Sequence, residues 1–212
     1  MLVRRVMSAP VECFPADLTC AEARQRMTDR GLRRAPLVDA HGKLCGMLTE
    51  GDLAGVLPRS IEELERGQEH PAYHPQVLAV AATDVLTLSP NDHVELAAAT
   101  MLRKKVGGLP VVEPGGEVVG ILTESDLFRL FVRRTLTQSG HRLLLHASRK
   151  AVDTLGPADI CSRAGVRLFD LGMFPLDADR LACNMVLACE DLDALLDALS
   201  RAGYETVLVE RA

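Results

Sequence analysis

Two short stretches carry the residues best suited to chemistry, CGMLTEGDL at 45–53 and VGILTESDL at 119–127. Each places a threonine three residues before an aspartate, Thr49 with Asp52 and Thr123 with Asp126. That spacing lets a hydroxyl and a carboxylate satisfy the free amides of a helix start. A helix end of this kind is also suited to holding a phosphate, because its N–H groups and dipole favour negative charge. The two roles are compatible, and both concern binding rather than bond making. Catalysis has no comparable support: the chain contains no G-x-S-x-G elbow, P-loop, G-x-G-x-x-G turn or H-E-x-x-H pair. His41, His93, His141 and His146 have no nucleophile or ligand set nearby. His70 and His74 have a metal-like spacing, but Pro71 and Pro75 keep them off a common helix, so a linker is expected there and no metal site.

The elements that position these residues come in duplicate. Sliding the chain over itself so that Thr49 meets Thr123 aligns residues 3–53 with 77–127 without a gap, and Val3, Met27, Pro36, Gly46, Leu48 and Asp52 meet their own kind. Such self-similarity marks a duplicated supersecondary unit whose copies bury their faces against each other. In each copy an extended piece, VECF or VLTL, leads into a helix. Capping boxes are expected from Thr19 with Glu22 and from Asp92 with Glu95, and ends at Gly31 and Gly107. Ala23 and Met27, then Val94, Ala97, Ala98 and Met101, form the apolar stripes. Two short apolar runs follow, joined by DAHG or EPGG, before the T-x-x-D helix. The unit reads strand, helix, strand, strand, helix.

Composition places this architecture among ordinary globular proteins. Of 212 residues 48% are apolar and 25% charged, and the net charge of −5 argues against nucleic acid or an anionic membrane as partner. The basic residues Arg129, Arg133, Arg134, Arg142, Arg149 and Lys150 read as a solvated helix face and loop. No apolar run has the length of a membrane span, and the first residues lack a secretory signal, so a cytoplasmic protein is expected. The six cysteines fit, being scattered without a CxxC pair, and read as reduced thiols.

The pattern R-A-P-L-V-D-x-x-G-K-L-x-G-M-L-T-E-x-D-L, repeated as G-L-P-V-V-E-x-x-G-E-V-V-G-I-L-T-E-S-D-L, resembles a tandem pair of CBS domains, the Bateman module. The resemblance covers about 130 residues. It implies an α/β (α+β) fold in which two CBS domains pack as a pseudo-symmetric pair, with an adenine ligand between apolar residues and its ribose on the motif aspartate. Carried over residue by residue, copy two offers Thr87, Leu109, Pro110, Thr123, Ser125 and Asp126, and copy one offers Cys13, Ala35, Pro36, Thr49 and Asp52. Copy one adds Arg33 and Arg34, which either reach phosphates bidentately or lie solvated. Copy two has Gly107 and Gly108 in their place. Copy one in turn has Gly51 for Ser125, and copy two has Ala81-Ala82 where Met7-Ser8 resembles the family's M-T step, a change expected to loosen packing.

Beyond the repeat, HRLLLHA, VRLFDLGM, RLACNMVLAC and ETVLVE read as strands, with helices over AVDTLGPADICSRAG and DLDALLDALSRAGY. The order βαββαβ is ferredoxin-like. It resembles an ACT domain, and a CBS pair with such an end is similar to acetoin-utilization proteins of the AcuB type. Ser148-Arg149-Lys150-Ala151 departs from the D-x-P-G-like turn of amino-acid-binding ACT domains, so that ligand is not expected. The expected organisation is CBS domain one over 1–58, a helical linker over 59–76 starting at Ser60-Ile61-Glu62-Glu63, CBS domain two over 77–138 and an ACT-like domain over 139–212. The resemblance implies a regulatory, non-catalytic sensor of AMP, ADP, ATP or S-adenosylmethionine. It would have no covalent cofactor, a homodimeric state and an unidentified regulated protein; the alternative is a ligand-free dimeric scaffold.

Overall fold

The structure, a computed structural model, describes residues 1–55, 75–136 and 139–211. The expected linker helix and His70 and His74 lie outside them. The chain divides into two compact units, Met1–Phe128 and Arg129–Ala212.

Unit one holds the repeat. Copy one runs through strand β1 (Phe14–Pro15), helix α1 (Cys20–Arg30), strands β2 (Arg34–Val38) and β3 (Leu44–Thr49), and helix α2 (Glu50–Ala54). Copy two gives helix α3 (Val94–Lys104), strands β4 (Gly108–Val112) and β5 (Val118–Thr123), and the start of helix α4 (Glu124–Leu136). In both, the hairpin is antiparallel with equivalent register, Pro36 opposite Met47 and Pro110 opposite Ile121. Even the irregularity recurs, at Leu37/Val38 and at Val111/Val112.

The two leading segments exchange partners. Ser8 and Ile121 trade N–H···O=C bonds of 2.9 and 3.1 Å, while Ala82 and Met47 trade bonds of 2.8 and 3.1 Å. Each copy's lead-in therefore crosses the other copy's second hairpin strand. This crossing explains the glycine of both G-h-h-T motifs. A Cβ on Gly46 would stand 3.3 Å from the Ala82 carbonyl oxygen, and one on Gly120 would stand 3.1 Å from that of Ser8 and 2.6 Å from Met7 Sδ. Val77 of copy two is buried in the same core as Phe14, Met27, Leu37 and Leu48 of copy one. The exchange thus extends into the apolar packing, where a fully buried side chain of this size contributes roughly 1.5–3 kcal/mol.

Helix starts and ends follow local chemistry, with two corrections. Thr19 caps α1 in a full capping box with Glu22, and Gly31 ends it in the left-handed region at φ 61°. Helix α3 starts instead from His93, which makes no side-chain cap. Asp92 is drawn back to accept from the Ser89 amide at 2.8 Å, and Glu95 meets the N-terminal ammonium at 3.2 Å. The left-handed C-cap is Lys105 at φ 55°, not Gly107.

Unit two places strands β6 (His141–Ser148), β7 (Arg167–Pro175), β8 (Arg180–Ala188) and β9 (Tyr204–Arg211) in the antiparallel order β7-β8-β6-β9. This is the strand order of a ferredoxin-like sheet. Helices α5 (Arg149–Thr154), α6 (Pro157–Arg163) and α7 (Leu192–Arg201) connect them. The single helix expected over 151–165 is two, because Gly156 and Pro157 open a new helix whose first position suits proline. Leu143, Leu145, Cys183, Met185 and Leu187 alternate onto one face of the sheet and pack with Ile160, Cys161, Leu195 and Leu199 of the helices. Tyr204 is buried there and donates to the Leu155 carbonyl at 2.7 Å.

All six cysteines are free thiols, and burial raises the pKa of each, which keeps them protonated. Among the described residues no helix is long and apolar enough to cross a membrane, and no cluster of three metal-ligating side chains occurs.

Candidate functional site

The T-x-x-D motifs cap their helices as their spacing predicts. Asp52 Oδ2 accepts from the Thr49 amide at 2.8 Å and from its hydroxyl at 2.7 Å, while the Asp52 amide donates back to Thr49 Oγ1 at 3.3 Å. Copy two repeats this geometry to within 0.1 Å between Thr123 and Asp126. The second carboxylate oxygen separates the copies. Asp126 Oδ1 accepts from the Ser8 hydroxyl at 2.9 Å, and the residue is only 1% exposed. The residue equivalent to Ser8 is Ala82, which has no hydroxyl. Among the described residues no donor meets Asp52 Oδ1.

Asp52 lines an open cleft of about 320 Å³ built from both copies. Thr49 and Met47 of copy one form one wall, with Ala82, Asp84, Val85 and Leu86 of the crossing segment beside them. Lys105, Val106, Gly107, Gly108 and Leu109, entering β4, form the other wall. Arg34 projects into it across the entrance of β4: Cβ atoms on Gly107 and Gly108 would meet its guanidinium at 2.6 and 2.8 Å. Burial, then the neighbouring Arg33, lower the Arg34 pKa from its ordinary value. An arginine still carries its charge at neutral pH. The cleft therefore combines aliphatic walls, a carboxylate able to accept hydroxyl hydrogen bonds, and two cations, Arg34 and Lys105, balanced by Asp84. Its volume lies within the range of small-ligand sites, roughly 300–1,000 Å³.

Of the expected site residues, this cleft unites Arg34, Thr49, Asp52 and Leu109. Ala35, Pro36 and Pro110 are buried in the hairpins, where Pro110 accepts from the Leu88 amide at 2.9 Å. Thr87 lines a separate, smaller cleft of about 240 Å³ with Cys45 and Val112. Cys13 is half-buried and lines neither cleft. Thr123, Ser125 and Asp126 lie outside the Asp52 cleft, and Ser125 accepts a 3.2 Å hydrogen bond from the exposed Arg33. Arg33 thus joins the two copies rather than reaching into the cleft, while Arg34 does the latter. Lys105, Asp84, Met47 and the Val85-Leu86 wall carry no signal within either copy, since they come from both. The exchanged lead-in brings copy two's segment onto copy one's aspartate.

Among the described residues, the two repeats thus form an interlocked pair around a small, mixed-polarity cleft. The sequence profile of the CBS domain matches residues 3–59 and 77–133, and the chain belongs to the CBS domain family. It is 30% identical over 139 residues to a CBS domain-containing protein of Dictyostelium discoideum, covering 63% of this chain and 92% of that protein. It is 28% identical over 130 residues to L-aspartate semialdehyde sulfurtransferase of Methanocaldococcus jannaschii, but spans only 23% of that enzyme's length. Among solved structures, the CBS domain pair of protein MJ0100 in complex with 5′-methylthioadenosine and S-adenosyl-L-methionine is 27% identical. It superposes with a TM-score of 0.53 over 64% of this chain and 98% of that one. The structure assigned to acetoin utilization protein (AcuB) from Vibrio cholerae is 26% identical, with a TM-score of 0.53 over 63% of this chain and 91% of that one.

Proposed function

We propose that this protein is a regulatory sensor in which the Asp52 cleft binds an adenosine-bearing ligand, an adenine nucleotide or S-adenosylmethionine, and the C-terminal unit carries the signal as an ACT-like domain. The observation that carries this reading is the Asp52 oxygen that no donor among the described residues meets, at a cleft with aliphatic walls. A flat base packs on Met47, Val85, Leu86, Val106 and Leu109, and ribose hydroxyls donate to the carboxylate. Hydrogen bonds to a charged acceptor contribute roughly 1.5–3 kcal/mol each. Arg34 and Lys105 suit a phosphate and Asp84 a sulfonium, so both ligand classes belong in the test. The adenosine compounds held by the MJ0100 pair support the choice. Binding, not turnover, is the role assigned, and a ligand acts only through its different affinity for alternative arrangements of the module. The likeness to AcuB makes acetoin utilization the first metabolic setting to examine, in the cytoplasm.

A second reading, a dimeric scaffold, draws on one observation: β9 is an edge strand of the C-terminal sheet and exposes Val207, Leu208 and Val209. Thermal melting of the full chain with AMP, ATP, 5′-methylthioadenosine and S-adenosylmethionine separates the two. A ligand at a hundred times its Kd adds about 2.7 kcal/mol, so a rise in Tm is expected with at least one compound and none with Asp52→Ala. No rise with any compound selects the scaffold, and an equal rise with Asp52→Ala places the ligand away from Asp52.

A further inference from the structure

We infer that the second aspartate is already occupied from within: the Ser8 hydroxyl takes the place of a ligand hydroxyl on Asp126, so each chain binds one ligand, at Asp52, and residues 8 and 82 decide which aspartate is open. This rests on the adenosine reading above.

Four observations carry it. The two aspartates hold their own threonines in the same geometry, so the motif itself does not distinguish them. The lead-in segments exchange symmetrically, with Ser8 crossing Ile121 and Ala82 crossing Met47, so residues 8 and 82 occupy matching places beside matching carboxylates. Ser8 spends its hydroxyl on Asp126 Oδ1 at 2.9 Å, the same O–H donor to carboxylate contact that a ribose hydroxyl makes. Ala82 offers no donor and lines the cleft beside Asp52, exposed, whereas Asp126 is 1% exposed. The contact between Arg33 and Ser125 adds a second protein-to-protein bond on the closed side, where copy one has Gly51. An intramolecular serine competes with any ligand at the effective concentration of a group already in place, so a dissolved ligand displaces it only at a loss of affinity.

Titration calorimetry on the full chain, with 5′-methylthioadenosine, AMP and S-adenosylmethionine as probes, tests this. The wild type is expected to bind one equivalent per chain. Ala82→Ser, which keeps the backbone bonds to Met47, is expected to weaken binding by about tenfold or more, equivalent to 1.4 kcal/mol. Ser8→Ala, which alters the Asp126 side alone, should leave affinity at the Asp52 site unchanged. Two equal sites in the wild type, or Ala82→Ser binding like the wild type, overturns the inference and leaves the adenosine reading standing. Absence of heat with every probe overturns both.

Discussion

In copy one the motif carboxylate gives one oxygen to its own threonine and stands at an open cleft, while in copy two both oxygens are held by the protein. The motif is the same, the hairpin register is the same, and the lead-in crosses in the same way. What differs lies outside the motif. Ser8 faces Ala82 across the pseudo-symmetry, and Arg33-Arg34 faces Gly107-Gly108. The second difference is steric as well as electrostatic: the Arg34 side chain of one copy lies against Gly107 and Gly108 of the other, where Cβ atoms would displace its guanidinium. A long side chain in one copy here lies over a residue without one in the other. Duplication therefore supplies two carboxylates, and such unlike pairs give them different surroundings.

The largest expected effect sets the aspartates against each other in stability. Asp126→Ala leaves two hydroxyls and an amide without their acceptor in a buried place, at a cost of about 3 kcal/mol in urea unfolding. Asp52→Ala removes a cap at a half-exposed place and should cost about 1 kcal/mol, while abolishing the ligand-induced rise in Tm. Equal costs would show that Ser8 and burial do not distinguish the two carboxylates.

Next come the crossing glycines. Gly120→Ala forces Met7 and the Ser8 backbone away from β5 and should cost about 1–3 kcal/mol, with part recovered by Met7→Ala. Gly46→Ala meets milder contacts of 3.2 and 3.3 Å and should cost less. A reversed order in thermal unfolding would mean that the crossing is looser on the Ser8 side.

The first helices differ in the same direction. Thr19→Ala should lower stability by about 1 kcal/mol at neutral pH, and Asp92→Ala by less, since only Thr19 caps its helix. Hydrogen bonds from the Thr19 hydroxyl, then from its amide, hold the Glu22 carboxyl below its ordinary pKa of 4.5. A lowered pKa contributes stability that is present above the ordinary value and lost as pH falls through the lowered one. The gap between Thr19→Ala and wild type should therefore narrow as the pH drops below 4.5. A gap that stays constant down to full protonation of Glu22 would show that the box does not hold its carboxylate.

The smallest effect is electrostatic tuning of the open cleft. Gly107→Ala displaces only the flexible end of Arg34, so stability should change by less than about 0.5 kcal/mol. Affinity for AMP relative to 5′-methylthioadenosine should fall a few-fold, roughly what one partly exposed charge contributes. An unchanged ratio would place Arg34 outside the phosphate's reach.

Much of this was legible in the chain. The repeat, the caps at Thr19, Thr49 and Thr123, the hairpins and the four strands after residue 139 follow from local spacing, which acts within a few residues. The errors arose where a local signal met a competitor. Asp92 has the spacing of a capping box, yet the Ser89 amide takes its carboxylate. Gly107 looks like a helix end, yet it lies beside Arg34 outside the left-handed region, and Lys105 takes the left-handed turn. The composition of the cleft was hidden for a different reason. The exchange of lead-in segments pairs residues of opposite copies, and no spacing within one copy signals that Ala82 and Leu109 share a cleft with Asp52. The unlike pair Ser8 and Ala82 was visible in the alignment of the repeat with itself, and its meaning became clear only once each residue had a carboxylate opposite.

The most direct test is a crystal structure of the full chain with 5′-methylthioadenosine bound. The account predicts both ribose hydroxyls within about 2.5–2.8 Å of the Asp52 carboxylate, the base against Leu109, and the Ser8 hydroxyl still on Asp126. A ligand held by Asp126 with Ser8 displaced, or one bound away from both aspartates, would contradict it.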